Sequence, residues 1–203
     1  PGGLPGLAEA VAGLAGAETP ERIEVDHALA SARLKAELPG PLAGALTRAP
    51  EGDLFARHHI DGQIEAALEP IKPLTGGGNL IIEPTSALTA IDVNSGGMGG
   101  AKLRQRLNLA AAKAIPPALR LRGIGGQVVI DFLPMRRPEQ QQAVRAALKT
   151  ACRPDPARIK LSRMTSGGLV ALTRERARPS LAAELLAPAA NPALSPSPAA
   201  GAN

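Results

Sequence analysis

Two apolar segments that each carry an aspartate near their carboxyl end constrain the fold of this chain most strongly. In residues 87–97, Asp92 and Asn94 follow an apolar run and precede a glycine loop. In residues 126–132, a run rich in β-branched side chains reaches Asp131. Alternate residues of a strand point to the same side, so Asp92 and Asn94 can converge on one point. Two strands that deliver carboxylates at one end predict a site for a hard divalent cation.

The remaining periodicity predicts strands that alternate with helices. Strands are predicted at 21–26, 79–83, 87–94, 127–132, 158–164 and 169–174, and helices at 4–14, 28–37, 54–69, 102–122 and 138–150. Pro116 and Pro117 are expected to break or kink the helix that contains them. This alternation favours an α/β domain built in layers around a mixed sheet.

Composition limits both the core and the partners of the chain. Its 203 residues include no Trp, no Tyr and two Phe. The core is therefore aliphatic, and few aromatic side chains are available for nucleic-acid bases to stack on. Residues 1–100 carry 6 Lys/Arg against 13 Asp/Glu, a net charge of −7, whereas residues 101–203 carry 17 against 5, a net charge of +12. The basic half suggests a surface for a polyanion, although Arg-rich chains often bind none.

Cysteine and hydropathy patterns indicate the compartment. Cys152 is the single cysteine, which excludes an intramolecular disulfide and is read as a small buried apolar side chain. The sequence shows neither a membrane-spanning apolar run nor a secretory signal. A cytoplasmic location is therefore expected.

Several motifs, taken in order, resemble those of the ribonuclease E/G family. They lie at residues 74–85, 88–96, 108–112, 119–126, 129–132, 157–162, 172–176 and 179–181. The pattern extends from about residue 20 to residue 181, which makes it far more specific than one short motif. The resemblance implies a metal-dependent endoribonuclease that cleaves single-stranded RNA, in RNA processing or decay, and leaves 5′-phosphate and 3′-hydroxyl ends.

The resemblance also implies a domain organisation. Residues 20–70 resemble part of a ribonuclease-H-like subdomain, and residues 71–186 resemble a deoxyribonuclease-I-like catalytic subdomain. Residues 1–19 are expected to be weakly structured, and the Ala/Pro/Ser-rich tail at 187–203 is expected to be disordered.

The resemblance assigns roles to individual residues. Asp92 and Asp131 match the aspartates that hold a magnesium ion, and Asn94 matches the asparagine that orients the first of them. Read without the family pattern, each aspartate would more often cap a neighbouring turn or helix. The candidate RNA-binding residues are Arg120, Arg122, Arg158, Lys160, Arg174 and Arg176. For each of these six, a solvated charged face is the competing interpretation.

The sequence also departs from the family pattern. No counterpart of the N-terminal OB-fold RNA-binding module is visible, and Ala182 and Ala183 follow Pro-Ser-Leu where the zinc-binding cysteines are expected. A zinc-linked dimer is therefore not expected, although a homodimer or association with an RNA-binding module is possible. The alternative functions are a catalytically weak or inactive RNA-binding relative and a structural partner of a larger ribonuclease. Retention of Asp92, Asn94 and Asp131 argues against the RNA-binding relative, because binding alone needs none of them, whereas loss of the surrounding family residues argues for it.

Overall fold

The structure is a computed structural model that describes residues 6–15, 19–50, 52, 54–97, 99–176 and 178–186. The chain divides into two compact units, residues 1–64 and residues 65–203. The predicted disordered tail at 187–203 lies outside the described residues.

The first unit is small and mostly helical. Its elements are α1 (Leu7–Ala15), β1 (Ile23–Val25), α2 (Ala28–Glu37), α3 (Gly40–Gly44), β2 (Leu46–Arg48), α4 (Leu54–Arg57) and the first half of α5 (Ile60–Leu68). β1 and β2 pair in parallel. The predicted helix at 28–37 is confirmed, and His27 caps it because its Nδ1 accepts a hydrogen bond from Ala30 N at 3.4 Å.

The helix predicted at 54–69 is wrong as one continuous element, because the chain turns between α4 and α5. His59 adopts a φ of +54°, in the left-handed region that an uninterrupted right-handed helix excludes. His58 is held at this turn by a short contact of its Nε2 with the Glu24 carboxylate. That hydrogen bond lowers the pKa of Glu24.

The second unit is built on a six-stranded mixed sheet. Its elements are β3 (Ile71–Pro73), β4 (Asn79–Pro84), β5 (Thr89–Asn94), α6 (Ala101–Leu121), β6 (Gly126–Asp131), α7 (Pro138–Ala151), β7 (Ile159–Leu161), β8 (Leu169–Arg174) and α8 (Leu181–Leu186). The strand order is β3-β4-β5-β6-β8-β7. β5 and β6 are parallel, and the other neighbouring pairs are antiparallel. The predicted α/β class, the two hairpins and the central strand are confirmed.

One face of this sheet forms the core of the unit. The buried strand residues are Leu80, Ile82, Ile91, Val93, Val128, Ile130, Val170 and Leu172. They pack in one cluster with Ala111, Ala112, Ile115 and Leu119 of α6 and with Val144 and Leu148 of α7. Each fully buried Leu, Ile or Val contributes about 1.5–3 kcal/mol. Because strand side chains alternate between faces, this burial directs Asp92 and Asp131 to the opposite, open face.

Pro116 and Pro117 were expected to break or kink their helix. They do not break it, because α6 runs through both prolines. Each proline lacks the N–H that would bond to the carbonyl four residues earlier. The buried neighbours Ile115, Ala118 and Leu119 anchor the helix on both sides of this gap. Tertiary packing has therefore outweighed the local cost. Although α6 has 21 residues, none of the described helices is long and apolar enough to cross a membrane.

Candidate active site

The two aspartates predicted to bind a metal lie side by side on the open face of the sheet. β5 and β6 are parallel neighbours, and their register pairs Asp92 with Asp131. Both side chains are exposed, whereas the preceding residues Ile91 and Ile130 are buried. The fold therefore brings two carboxylates to one exposed place near the carboxyl ends of adjacent parallel strands.

The electrostatics of this face disfavour a second negative charge. Partial burial raises the pKa of Asp92 above its ordinary value, and the negative charges of Asp131 and Glu83 raise it further. A hydrogen bond from the backbone of Val93 acts in the opposite direction. Neighbouring carboxylates repel each other, and a cation between them would relieve that repulsion.

Asn94 lies on the same face as Asp92, two residues further along β5. Its Oδ1 accepts a hydrogen bond from Gly96 N at 2.9 Å, so the carboxamide presents its NH₂ group as the remaining donor. Gly78 packs closely here: a Cβ atom at Gly78 would lie 2.3 Å from Asn94 O, and the φ of Gly78 is +70°. A glycine is therefore required at this position of the loop before β4, because any side chain would collide with the backbone at the end of β5. The hydrogen bond from Asn94 to Asp92 stays a prediction.

Asn108 of α6 is a positioning residue that the sequence analysis quoted only as part of a motif. Its side chain is fully buried. Nδ2 donates to Leu133 O at 2.8 Å, and Oδ1 accepts from Leu133 N at 3.0 Å. This two-bond contact ties α6 to the backbone two residues after Asp131. The sequence signal for such a role was a polar asparagine on the otherwise apolar face of the helix.

Two of the six predicted RNA-binding residues are buried. Arg174 donates from Nε and Nη2 to the two carboxylate oxygens of Asp155 at 2.9 and 3.0 Å, and from Nη1 to Ile124 O at 3.0 Å. Burial alone would raise the pKa of Asp155, but the hydrogen bonds from Arg174 and from a backbone N–H hold it below its ordinary value. Arg122 donates from Nη2 to Glu69 O at 2.6 Å. These guanidinium groups join segments of the fold, and their contact with RNA stays a prediction.

The other four predicted residues are exposed, but they lie far from the aspartates along the sheet. They are Arg120, Arg158, Lys160 and Arg176. Arg174 pairs with Gly126 at the start of β6, and Lys160 pairs with Thr173 next to it. Asp131 is five residues further along β6, a distance of about 16 Å.

Three exposed arginines that the sequence analysis did not select lie at the same end as the aspartates. Arg136 and Arg137 follow Asp131 along the chain, and Arg163 lies in the loop that leads into β8. Leu169, the first residue of β8, pairs with Asp131, which brings that loop to the same end of the sheet. For Arg136 and Arg137, the available sequence signal was their position shortly after a strand that ends in an aspartate, whereas Arg163 carried no such signal.

The two aspartates alone do not form a closed metal site. Within the described ranges, no cluster of three or more His, Cys, Asp and Glu side chains is arranged to hold a metal ion. A hard cation takes six or more oxygen ligands. A cation held by Asp92 and Asp131 therefore needs water or substrate oxygens to complete its coordination, which leaves positions open for a phosphodiester group.

Comparisons with known proteins identify relatives of the chain. The model of the Ribonuclease E/G family matches residues 18–177. Ribonuclease E of Haemophilus influenzae is 42% identical over 135 residues, which cover 64% of this chain and 14% of the relative. Ribonuclease E of a Nostoc species is 38% identical over 169 residues, or 76% and 24% of the two chains. Ribonuclease G of Haemophilus influenzae is 37% identical over 132 residues, or 63% and 27%. The chain thus spans between 14% and 27% of the length of these relatives.

Proposed function

Because the chain belongs to the ribonuclease E/G family, we propose that it carries the catalytic centre of a metal-dependent endoribonuclease. Its substrate is single-stranded RNA, cleaved to 5′-phosphate and 3′-hydroxyl products during RNA processing or decay. The observation that carries this proposal is the register of Asp92 with Asp131 on the exposed face of two parallel strands. The cytoplasmic location expected from the sequence belongs to the same proposal.

Magnesium is the proposed cofactor, and the residues present fit it. Asp92 and Asp131 supply carboxylate oxygens, the ligand type that magnesium prefers. The raised pKa of Asp92, caused by partial burial and then by Asp131 and Glu83, marks a place where positive charge is favoured. When bound, the ion supplies a positive charge that polarises the phosphodiester group and activates water.

The other residues of the chain position these carboxylates. Asn94 is proposed to orient Asp92 through its NH₂ group, because the Gly96 N–H already occupies its Oδ1. Asn108 fixes the backbone at Leu133 and thereby the end of β6. Arg136, Arg137 and Arg163 are proposed to hold the RNA phosphates near the aspartates, since a guanidinium can donate two hydrogen bonds to one phosphate.

The subdomain assignments also remain proposals. We assign residues 71–186 to a deoxyribonuclease-I-like catalytic subdomain and residues 20–70 to part of a ribonuclease-H-like subdomain. The mixed sheet covered by α6 and α7 supports the first assignment. The second assignment is supported only by the parallel pair of β1 and β2 next to helices.

A non-catalytic RNA-binding relative is the less favoured alternative. Binding of RNA requires cations on the surface, but it does not require two carboxylates that repel each other. The association of this chain with an RNA-binding module or with a second copy is compatible with either function.

The test is cleavage of a 5′-labelled single-stranded RNA by the 203-residue chain. We expect cleavage with magnesium, none with EDTA, and a loss of about 100-fold or more in the Asp92→Asn/Asp131→Asn variant, as for removal of groups that stabilise charge in a transition state. An Asp61→Asn variant, which changes an exposed carboxylate of α5, controls for the loss of negative charge.

A second readout does not depend on turnover. Magnesium that binds the folded state should raise the melting temperature of the wild-type chain and of Asp61→Asn, but not that of the double variant. Cleavage by the double variant at the wild-type rate would contradict the proposed role of the two aspartates.

A further inference from the structure

The second unit contains a cavity that the proposed cleavage reaction does not use. Its volume is about 550 Å³, within the range of small-molecule sites. It lies where β5 and β6 begin, and its lining includes Ile82 and Thr89. These residues belong to the helix-covered face of the sheet, whereas Asp92 and Asp131 lie on the open face near the other end. The cavity is therefore separate from the aspartate pair.

A buried arginine lines this cavity, and no carboxylate of the described residues pairs with it. Arg122 is 8% exposed, and its hydrogen bond runs from Nη2 to the neutral carbonyl of Glu69 at 2.6 Å. Burial lowers the pKa of Arg122. The carboxyl end of α6 supplies only a partial negative charge beside it. None of the described residues that line the cavity is acidic. A buried charge without a counter-ion is unfavourable, so the site favours an anion.

Two exposed arginines add to the positive charge of the same cavity. Arg176 and Arg178 both line it. The Arg176 side chain lies over Gly125 and Gly126: its Nε donates to Gly125 O at 3.4 Å, and a Cβ atom at Gly126 would lie 3.0 Å from its Nη2. The absence of a side chain at Gly126 thus makes room for this guanidinium.

The rest of the lining is mainly apolar. It includes Leu68, Pro70, Pro84, Leu88 and Ile124. A cavity with three guanidinium groups and an apolar wall suits a ligand that joins a phosphate to a largely apolar or planar body. An inorganic anion alone would leave the apolar wall without a partner.

The main chain holds the frame of the cavity in place. Leu181 N donates to Arg122 O at 2.9 Å, which anchors the start of α8 beside the end of α6. Gly123 has a φ of +64°, and a Cβ atom there would lie 2.9 Å from Pro179 O. These two contacts hold residues 179–181 against the end of α6 and so fix one wall of the cavity.

We propose that this cavity binds a nucleotide, with its phosphate at Arg122, Arg176 and Arg178 and its base or sugar against the apolar wall. The choice of a nucleotide among organic phosphates rests on the proposed action on RNA. The ligand is either a free mononucleotide or a nucleotide within an RNA chain, and both offer the same chemistry to the site.

The test is calorimetric titration of the full chain with AMP in buffer that contains EDTA, so that cleavage cannot occur. Adenosine and inorganic phosphate are titrated separately. Loss of charge-assisted hydrogen bonds should weaken AMP binding about tenfold or more in Arg176→Glu/Arg178→Glu. The matched control Lys113→Glu/Arg153→Glu changes two exposed cations outside the cavity and should bind AMP like the wild type. Adenosine and phosphate should each bind more weakly than AMP.

An RNA oligonucleotide added as a competitor separates the two ligand sources. If it displaces AMP from the wild type and loses affinity in the arginine variant, the site holds a nucleotide of an RNA chain. If it does not displace AMP, the site holds a free nucleotide.

The cavity proposal is overturned if AMP fails to bind the wild type, or if it binds the Arg176→Glu/Arg178→Glu variant equally well. The Asp92→Asn/Asp131→Asn variant should bind AMP like the wild type. A chain that binds AMP in this way but does not cleave RNA would contradict the proposed cleavage while supporting the cavity.

Discussion

Asp92 shows at the scale of one residue how a proposed metal ligand would oppose stability. Its partial burial and the nearby charges of Asp131 and Glu83 raise its pKa. An apolar side chain or an amide would avoid that penalty. Active sites commonly retain such unfavourable arrangements because the chemistry requires them.

The Asp92→Asn variant should therefore be more stable than the wild type at neutral pH. A carboxyl whose pKa is raised by folding stabilises the fold at pH values below its unfolded pKa, and this contribution is lost as the pH rises through the folded pKa. We expect the melting temperature at pH 7 to rise by only about 1–3 °C, because Asp92 is exposed and solvent screens its repulsion from Asp131 and Glu83.

Thermal denaturation followed by circular dichroism between pH 3 and pH 8 checks this expectation, with Asp26→Asn in the first unit as the comparison. The gain should disappear towards pH 3, where Asp92 is protonated in both states. A gain of equal size at pH 3 would point to a cause other than charge.

Cys152 illustrates a residue whose sequence interpretation is confirmed. It is buried, and burial followed by the charge of Asp155 raises the pKa of its thiol to about 11. The thiol therefore stays protonated at neutral pH and packs as a small apolar side chain in the cluster beneath the sheet.

At the scale of elements, α6 is where local preference and tertiary packing conflict. Proline in a helix interior costs about 3 kcal/mol relative to alanine, yet α6 contains two consecutive prolines. Pro116 is buried and contributes packing, whereas Pro117 is exposed. The prolines are visible in the sequence, whereas the buried contacts that hold the helix together arise only when the chain packs.

Pro117→Ala should stabilise the second unit. The substitution restores one backbone donor and removes a steric clash, while it increases the entropy of the unfolded chain by a smaller amount. We expect a gain of about 2 kcal/mol in the free energy of unfolding, measured by urea denaturation. Pro156→Ala, in the loop before β7, is the control and should change stability little. A destabilised Pro117→Ala protein would show that this proline makes contacts the helix needs.

At the scale of the whole molecule, positive charge is distributed over two ends of the six-stranded sheet. The four exposed residues predicted to bind RNA lie towards the start of β6, and Arg136, Arg137 and Arg163 lie towards its end. Under the proposed cleavage at the aspartate pair, cations near the phosphodiester contribute most to holding the RNA there, because exposed charges separated by more than about 10 Å are screened by salt.

Two triple variants of equal charge can compare these ends. Replacing Arg136, Arg137 and Arg163 by Gln should weaken binding of a short single-stranded RNA more than replacing Arg120, Arg158 and Lys160 by Gln. Each lost phosphate contact should reduce the slope of log K against log salt concentration by about 0.7, the value for single strands. Fluorescence anisotropy at several salt concentrations measures both quantities. A larger loss in the second variant would support the original six-residue prediction instead.

The sequence by itself determined the alternation of strands and helices, the family, and the aliphatic core. These follow from local periodicity and from motifs, which a chain carries at fixed spacing. The side-by-side placement of Asp92 and Asp131 was also accessible, because both end strands whose buried faces are specified by alternating side chains.

Only the tertiary structure decided which cationic side chains are exposed and which are buried in hydrogen bonds or an ion pair. Arg122 and Arg174 look like the other arginines in the sequence, yet one lines a cavity and the other forms a buried pair with Asp155. The burial and partners of a charged side chain depend on segments distant in sequence, 53 residues from Arg122 to Glu69 and 50 from Arg174 to Ile124. Such long-range contacts leave no periodic signal, because they arise only when the strands and helices pack together.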